Sequence, residues 1–146
     1  MTELLAHRGY RGKSEPDTID AVHTELDSLW EAAHFVPELD RMTFTTAVIE
    51  SASNIVQHAE PAGQAPVELG VDIAVWSTRL VARISAFNAR EPFASPPYAG
   101  LPDDDSESGR GLAMIEALVT TVAFEREAAT NTWILTRKST PDPRSS

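Results

Sequence analysis

From Val67 to Val75 apolar residues alternate with polar or small ones, so that Val67, Leu69, Val71, Ile73 and Val75 share one side of an extended chain. Period-two spacing of this kind predicts a strand with one buried face. Ser77-Thr78 follows as a turn, and Arg79 to Phe87 is the return strand of an antiparallel hairpin. Upstream the period changes. Ile19, Val22, Leu26, Leu29, Trp30 and Ala33 recur at the spacing of one helical face and predict a helix over 17–34, capped by Ser14 or Asp17. Pro37 separates it from a second helix over 38–59, whose buried face is Val48, Ala52, Ile55, Val56 and Ala59; the Pro- and Gly-containing run 60–66 ends that helix.

The flanks are less strongly patterned. Residues 3–10 predict a short strand, followed by a loop over 11–16. Residues 88–108 form a long loop rich in Pro, Ser and Asp, and 110–119 predict a short helix on Leu112, Ile115, Leu118 and Val119. Two last strands, 120–127 and 132–138, are joined by 128–131, and the tail 139–146 is expected to be disordered. The order β, α, α, β, β, loop, α, β, β implies an α+β fold: a two-layer sandwich of a mostly antiparallel sheet with helices on one face, in a single domain over 1–138.

Composition narrows the chemistry. The 146 residues include 12 basic and 22 acidic side chains, a net charge of −10, with 42% hydrophobic content and no cysteine. Disulfide scaffolds, thiolate metal sites and cysteine nucleophiles are excluded. The acidic balance argues against binding a nucleic-acid backbone. No apolar run approaches the ~18 residues of a membrane span, and the amino terminus lacks the apolar stretch of a signal peptide, so a soluble, cytoplasmic protein with no membrane partner is expected. The charge is uneven: residues 14–60 sum to −9 and residues 91–109 to −5, whereas residues 1–13 sum to +2.

Three features could carry chemistry. Glu50, Asn54 and His58 are spaced four apart on the second helix, drifting about 40° per step, beside its apolar stripe. A carboxylate and an amide one turn apart can take a proton and ligate a hard cation such as Mg²⁺; the alternative is an ordinary solvated helix face. Gly109-Arg110-Gly111-Leu112 leads straight into an apolar helix, a junction that frees backbone N–H groups for a phosphate-sized anion or simply caps the helix. The loop 88–108 connects a strand end to that junction, the position of a functional lid, although its proline and acid content also fits disorder.

In order and spacing, Glu50-x-x-x-Asn54-x-x-x-His58, then Phe87-Asn88-Ala89-Arg90-Glu91-Pro92-Phe93, then Gly109-Arg110-Gly111-Leu112 resemble the three nucleotide-binding boxes of the GHKL ATPases, the superfamily of histidine kinases, gyrase and the heat-shock chaperone ATPase. The small size and the Gly-Arg-Gly-Leu-x-x-Ile form look most like the bacterial anti-sigma-factor serine/threonine kinases. The resemblance implies a Bergerat-type ATP-binding fold with ATP and Mg²⁺ as cofactors. It makes Glu50 the general base and Asn54 the Mg²⁺ ligand. Asn54, Asn88, Arg90, Phe93, Gly109, Arg110, Gly111 and Leu112 become the nucleotide-binding residues, and 94–108 the mobile lid. His58 receives no catalytic role.

The middle box departs from the family pattern. Asn88 stands where Asp normally accepts a hydrogen bond from the adenine amino group, and Arg90 where Gly normally allows close approach. An Asn carbonyl still accepts that bond, with a loss of roughly 1–2 kcal/mol of charge-assisted strength. Arg90 either obstructs the ligand, reaches outward to a phosphate or closes the lid. Two functions follow from the resemblance. One is an ATP-dependent kinase that phosphorylates a serine on a small antagonist protein and sequesters a sigma factor, as a homodimer, in a partner-switching pathway. The other is a regulatory binding module of the same fold with weakened or lost nucleotide binding. Glu50 and Asn54 favour the enzyme; Asn88 and Arg90 favour the module.

Overall fold

The hairpin of β2 (Glu68–Trp76) and β3 (Arg79–Phe87) lies at the middle of the structure, with Glu68 opposite Phe87 and Val75 opposite Leu80. The expected alternation holds: Leu69, Val71, Ile73 and Val75 on β2 and Leu80, Ala82, Ile84 and Ala86 on β3 are all buried. β1 (Leu4–Lys13) pairs outside β2; β5 (Thr130–Lys138) pairs with β3, and β4 (Thr121–Glu127) completes the sheet. The order is β1-β2-β3-β5-β4, and all four ladders are antiparallel. β3 and β4 therefore run the same way with β5 between them, so the chain from 88 to 120 is a crossover. The computed structural model describes residues 3–92, 115 and 117–138. The expected lid, most of the helix expected over 110–119 and the tail 139–146 lie outside the described residues.

Two helices, α1 (Pro16–Ala32) and α2 (Glu38–His58), cover one face of the sheet. α1 buries Val22, Leu26 and Leu29, and α2 buries Phe44, Ala47, Val48, Ala52 and Ile55, against the inward side chains of β2, β3 and Leu135 of β5. The buried stripe of α2 starts about two turns earlier than the apolar pattern predicts, at Asp40 and Phe44, whereas Val56 and Ala59 are only partly buried. This is the α+β two-layer sandwich implied by the element order. Among the described residues no helix is long and apolar enough to cross a membrane.

Three local expectations are corrected. Residues 11–13 are strand rather than loop, because Arg11, Gly12 and Lys13 pair with Gly70, Leu69 and Glu68. The cap of α1 is neither Ser14 nor Asp17. Ser14 donates its N–H to Val67 O at 3.0 Å, extending the ladder, and Glu15 is the cap residue, in extended conformation before Pro16, which presets the helical φ. The last hairpin turns on Ala128-Ala129 alone, with β5 already begun at Thr130 and Ala128 at a φ of 53°.

One buried ion pair ties the layers together. Asp40, fully buried in the first turn of α2, accepts from Nε and Nη2 of Arg137 on β5, each at 2.9 Å, and Nη1 of the same guanidinium donates to Leu118 O at 2.9 Å. The contact joins α2, β5 and the end of the crossover. Removing the carboxylate leaves a mostly buried guanidinium uncompensated, so Asp40→Ala should lower the free energy of urea unfolding by about 3 kcal/mol or more. Ala128→Gly relieves a left-handed backbone and should raise it by about 0.5–1 kcal/mol in the same measurement.

Candidate functional site

α2 sets the angular positions of the first box. Trp30 Nε1 donates to Thr45 Oγ1 at 2.8 Å, which fixes the side of α2 that meets α1. Asn54 is nine residues further on, about 180° around the helix from Thr45, and Glu50 about 140°. Both therefore lie on the flank away from α1, where β5 and β4 continue the sheet, and both are half-buried. His58 is exposed at the helix end. Asn54 Nδ2 is buried and has no hydrogen-bond partner among the described residues. A buried amide donor left unpaired costs about 1–3 kcal/mol, and an incoming acceptor would recover that energy. The two ends of the amide interchange by a flip, so the same group can donate to a phosphate oxygen or turn Oδ1 to a hard cation. The fit to a magnesium–nucleotide group therefore rests on an observed unsatisfied atom.

The middle box is a sharp turn at the end of β3. Asn88 adopts a φ of 61°, a region that Asn tolerates better than most residues. Its backbone carbonyl accepts from Ala62 N at 2.9 Å, and its Nδ2 donates to Pro66 O at 3.2 Å. The Pro66 carbonyl occupies the donor end of the amide and so orients Oδ1 as the acceptor, the role an Asp has in the family. Arg90 does not project from this turn as a loose obstruction. Its Nε donates to Pro61 O at 3.1 Å, its Nη1 lies 3.7 Å from Glu60 Oε2, and its own N–H donates to Glu60 O at 2.8 Å. The guanidinium thus lies back along the segment that leaves α2, on the surface.

The tip of the β4–β5 hairpin holds the same turn from the other side. Ala89 N–H donates to Ala129 O at 2.9 Å. Asn131, 2% exposed, donates from Nδ2 to Arg90 O at 2.7 Å and accepts from Arg126 Nη1 at 2.5 Å; Arg126 also reaches Ala89 O at 3.2 Å. Sequence reasoning missed Asn131 and Arg126. The available signal was an Asn inside a run of strand formers, Thr130-Asn131-Thr132-Trp133, where Asn is depleted. Phe93, Gly109, Arg110, Gly111 and Leu112 lie outside the described residues. The structure brings Asn88 and Arg90 together with the segment that leaves the Glu50–Asn54 helix. Among the described residues no cluster of three His, Cys, Asp or Glu side chains could hold a metal ion.

Asn131→Ala removes both bonds and leaves the Arg90 carbonyl without its side-chain donor. It should destabilise the protein by about 1–2 kcal/mol, and amide hydrogen exchange should accelerate at Ala89 and Arg90 more than in β2.

Residues 13–137 match the family model of the histidine kinase-like ATPase domain. No curated protein sequence matches the chain. Twelve chains of solved structures do. Among them is the crystal structure of the RsbU and RsbW domains of Rv1364c from Mycobacterium tuberculosis, with a TM-score of 0.62 and 22% identity, covering 92% of this chain and 32% of that one. The chain therefore spans about a third of that protein's length, and at this identity the likeness is one of fold. With the family model spanning α1 to β5, the chain belongs to the histidine kinase-like ATPase domain family, the GHKL ATPases whose boxes its sequence resembles.

Proposed function

We propose that this protein binds ATP with Mg²⁺ and transfers phosphate to a serine of a small antagonist protein, as a cytoplasmic, homodimeric anti-sigma-factor kinase in a partner-switching pathway. The observation that carries the nucleotide part is the buried Nδ2 of Asn54, unsatisfied among the described residues, one helical turn beyond Glu50 on the flank away from α1. In this reading Glu50 takes the proton of the acceptor hydroxyl, since a carboxylate positioned one turn from the phosphate-binding amide can serve as base. Asn88 presents Oδ1 to an exocyclic amino group, because its Nδ2 is committed to Pro66 O. Mg²⁺, when bound, would neutralise charge on the phosphates, with Asn54 as its protein ligand. The partner assignment, a sigma factor and its antagonist, rests on the family resemblance and on fold likeness to a structure that contains an RsbW domain.

The non-catalytic module is the second reading, and Arg90 is the residue that favours it. Its side chain does lie on the surface, against Glu60 and Pro61, which is compatible with ligand approach. The two readings separate in a thermal melt. Mg-ATP at millimolar concentration should raise the melting temperature, since a ligand bound only to the folded state stabilises it; no shift refutes the kinase reading. Glu50→Ala should keep that shift and abolish phosphate transfer to the antagonist, whereas Asn54→Ala should lose the Mg²⁺-dependent part of the shift. Equal turnover by wild type and Glu50→Ala would remove the base assignment.

A further inference from the structure

Packing against the sheet accounts for Phe44, Ala47, Val48, Ala52 and Ile55, the buried stripe of α2. Leu39 and Met42 are not on it. At 100° per residue they stand about 140° and 160° from Phe44, on the outward side of the helix. They are 67% and 62% exposed, and Phe35, in the turn 33–37 just before the helix, is 56% exposed. Among the described residues these are three of the six exposed large hydrophobic side chains, gathered within eight residues of chain. Together they leave on the order of 300 Å² of apolar surface in water, the size at which an exposed patch on a monomer commonly has a function.

The backbone beneath these side chains is fixed. Val36 is buried and its N–H donates to Ala33 O at 3.1 Å; Arg41 N–H donates to Pro37 O at 3.0 Å, and Arg41 Nε closes the turn on Val36 O at 2.9 Å. On the inward side the Asp40–Arg137 pair holds the same first turn of α2 to β5. Phe35, Leu39 and Met42 are therefore presented by a segment that needs little ordering when something docks on it. Charge then selects the occupant. Residues 14–60 hold ten acidic side chains and one basic one, Arg41, and Glu31 and Glu38, on either side of the turn, are exposed. A second copy presenting the same patch would bring the same acids, and an anionic lipid surface would be repelled as well. The complement is apolar at its centre and basic at its flanks.

We infer that the outward side of the first turns of α2, together with Phe35, is a docking surface for an amphipathic helix of a partner protein. Apolar anchors of that helix rest on Phe35, Leu39 and Met42, and its Lys or Arg side chains meet Glu31 and Glu38. A helix is the matching element because Leu39 and Met42, three residues apart, form a ridge of helical pitch, against which a second helix packs with its own i, i+3 and i+4 positions. The surface is remote from the first box: Leu39 precedes Asn54 by 15 residues, about 22 Å along the helix axis. It is a contact separate from the nucleotide boxes and does not rest on the nucleotide reading.

Fluorescence anisotropy tests the surface with a probe of that chemistry. The probe is a labelled peptide of Leu and Lys, roughly 14 residues long, with its leucines at helical i, i+3, i+4 and i+7 spacing. It is titrated with the full chain at physiological salt, where long-range attraction is screened, and without nucleotide, so the outcome is independent of the ATP titration. It should bind about tenfold or more tightly than a peptide of the same composition with the spacing shuffled. Leu39→Asp with Met42→Asp should weaken binding about tenfold or more, although it adds negative charge; capture by charge alone would become tighter. Glu31→Lys with Glu38→Lys should weaken it as well. Circular dichroism checks that the variants fold, and Leu39→Ser with Met42→Ser should show the same loss without a change of charge. Unchanged or tighter binding by the folded Asp variant, or equal binding of the shuffled peptide, overturns the docking surface. So does either rival occupant: wild-type self-association in sedimentation equilibrium that the Asp variant abolishes, or wild type floating with phosphatidylglycerol vesicles when the Asp variant does not.

Discussion

A sheet that the described helices bury on one face is the constraint from which the other positions follow. Leu69, Val71, Ile73 and Val75 can meet the helices only in one register, since a slip by one residue would turn all four to the open side. That register sets the end of β3, and with it the place where Asn88 must turn. It also fixes the strip of sheet on which Phe44, Val48, Ala52 and Ile55 rest, and so the rotation of α2. With α1 tied to Thr45 on one side of that helix, Asn54 has only the opposite flank available. The carboxylate and amide of the first box thus owe their direction to hydrophobic residues several strands away.

The site combines a satisfied turn and an unsatisfied amide. Around Asn88, Ala89 and Arg90 the contacts run to backbone carbonyls and N–H groups, to the side chains of Arg126 and the buried Asn131, and to the Glu60 carboxylate, so the turn is held in place before any ligand arrives. Asn54, by contrast, keeps a buried donor without a partner among the described residues. Preorganisation on one side and an unmet hydrogen bond on the other is the arrangement expected where binding energy is recovered from the ligand rather than from the fold.

Much of this was legible in the sequence, for identifiable reasons. The β2–β3 hairpin and both helices carry strong periodicity, and the structure places them within a residue or two of the expected bounds. β1 was read too short because Arg11, Gly12 and Lys13 have the composition of a loop; only the ladder to Glu68, Leu69 and Gly70 makes them strand. Asp40 could not be recognised as buried, because its partner Arg137 is 97 residues away and a lone Asp in a first helical turn is ordinary. Arg90 raised a steric concern that the sequence could not resolve, since the direction of its side chain depends on Glu60 and Pro61 across the turn. Asn131 was placed in a turn, because nothing local distinguishes a turn Asn from one that reaches a carbonyl 41 residues back.

The support of the middle box by the last hairpin separates motif from geometry. All three nucleotide boxes precede residue 113, so a fragment ending before β4 would contain every recognisable motif of the family. It would lack Ala129 O and the Asn131 amide, the two groups that grip Ala89 and Arg90 from the far side. Such a fragment would match the family by its motifs while the turn at Asn88 had lost half of its scaffold. For this fold the boundary that matters to binding is the end of the last strand, not the end of the last motif.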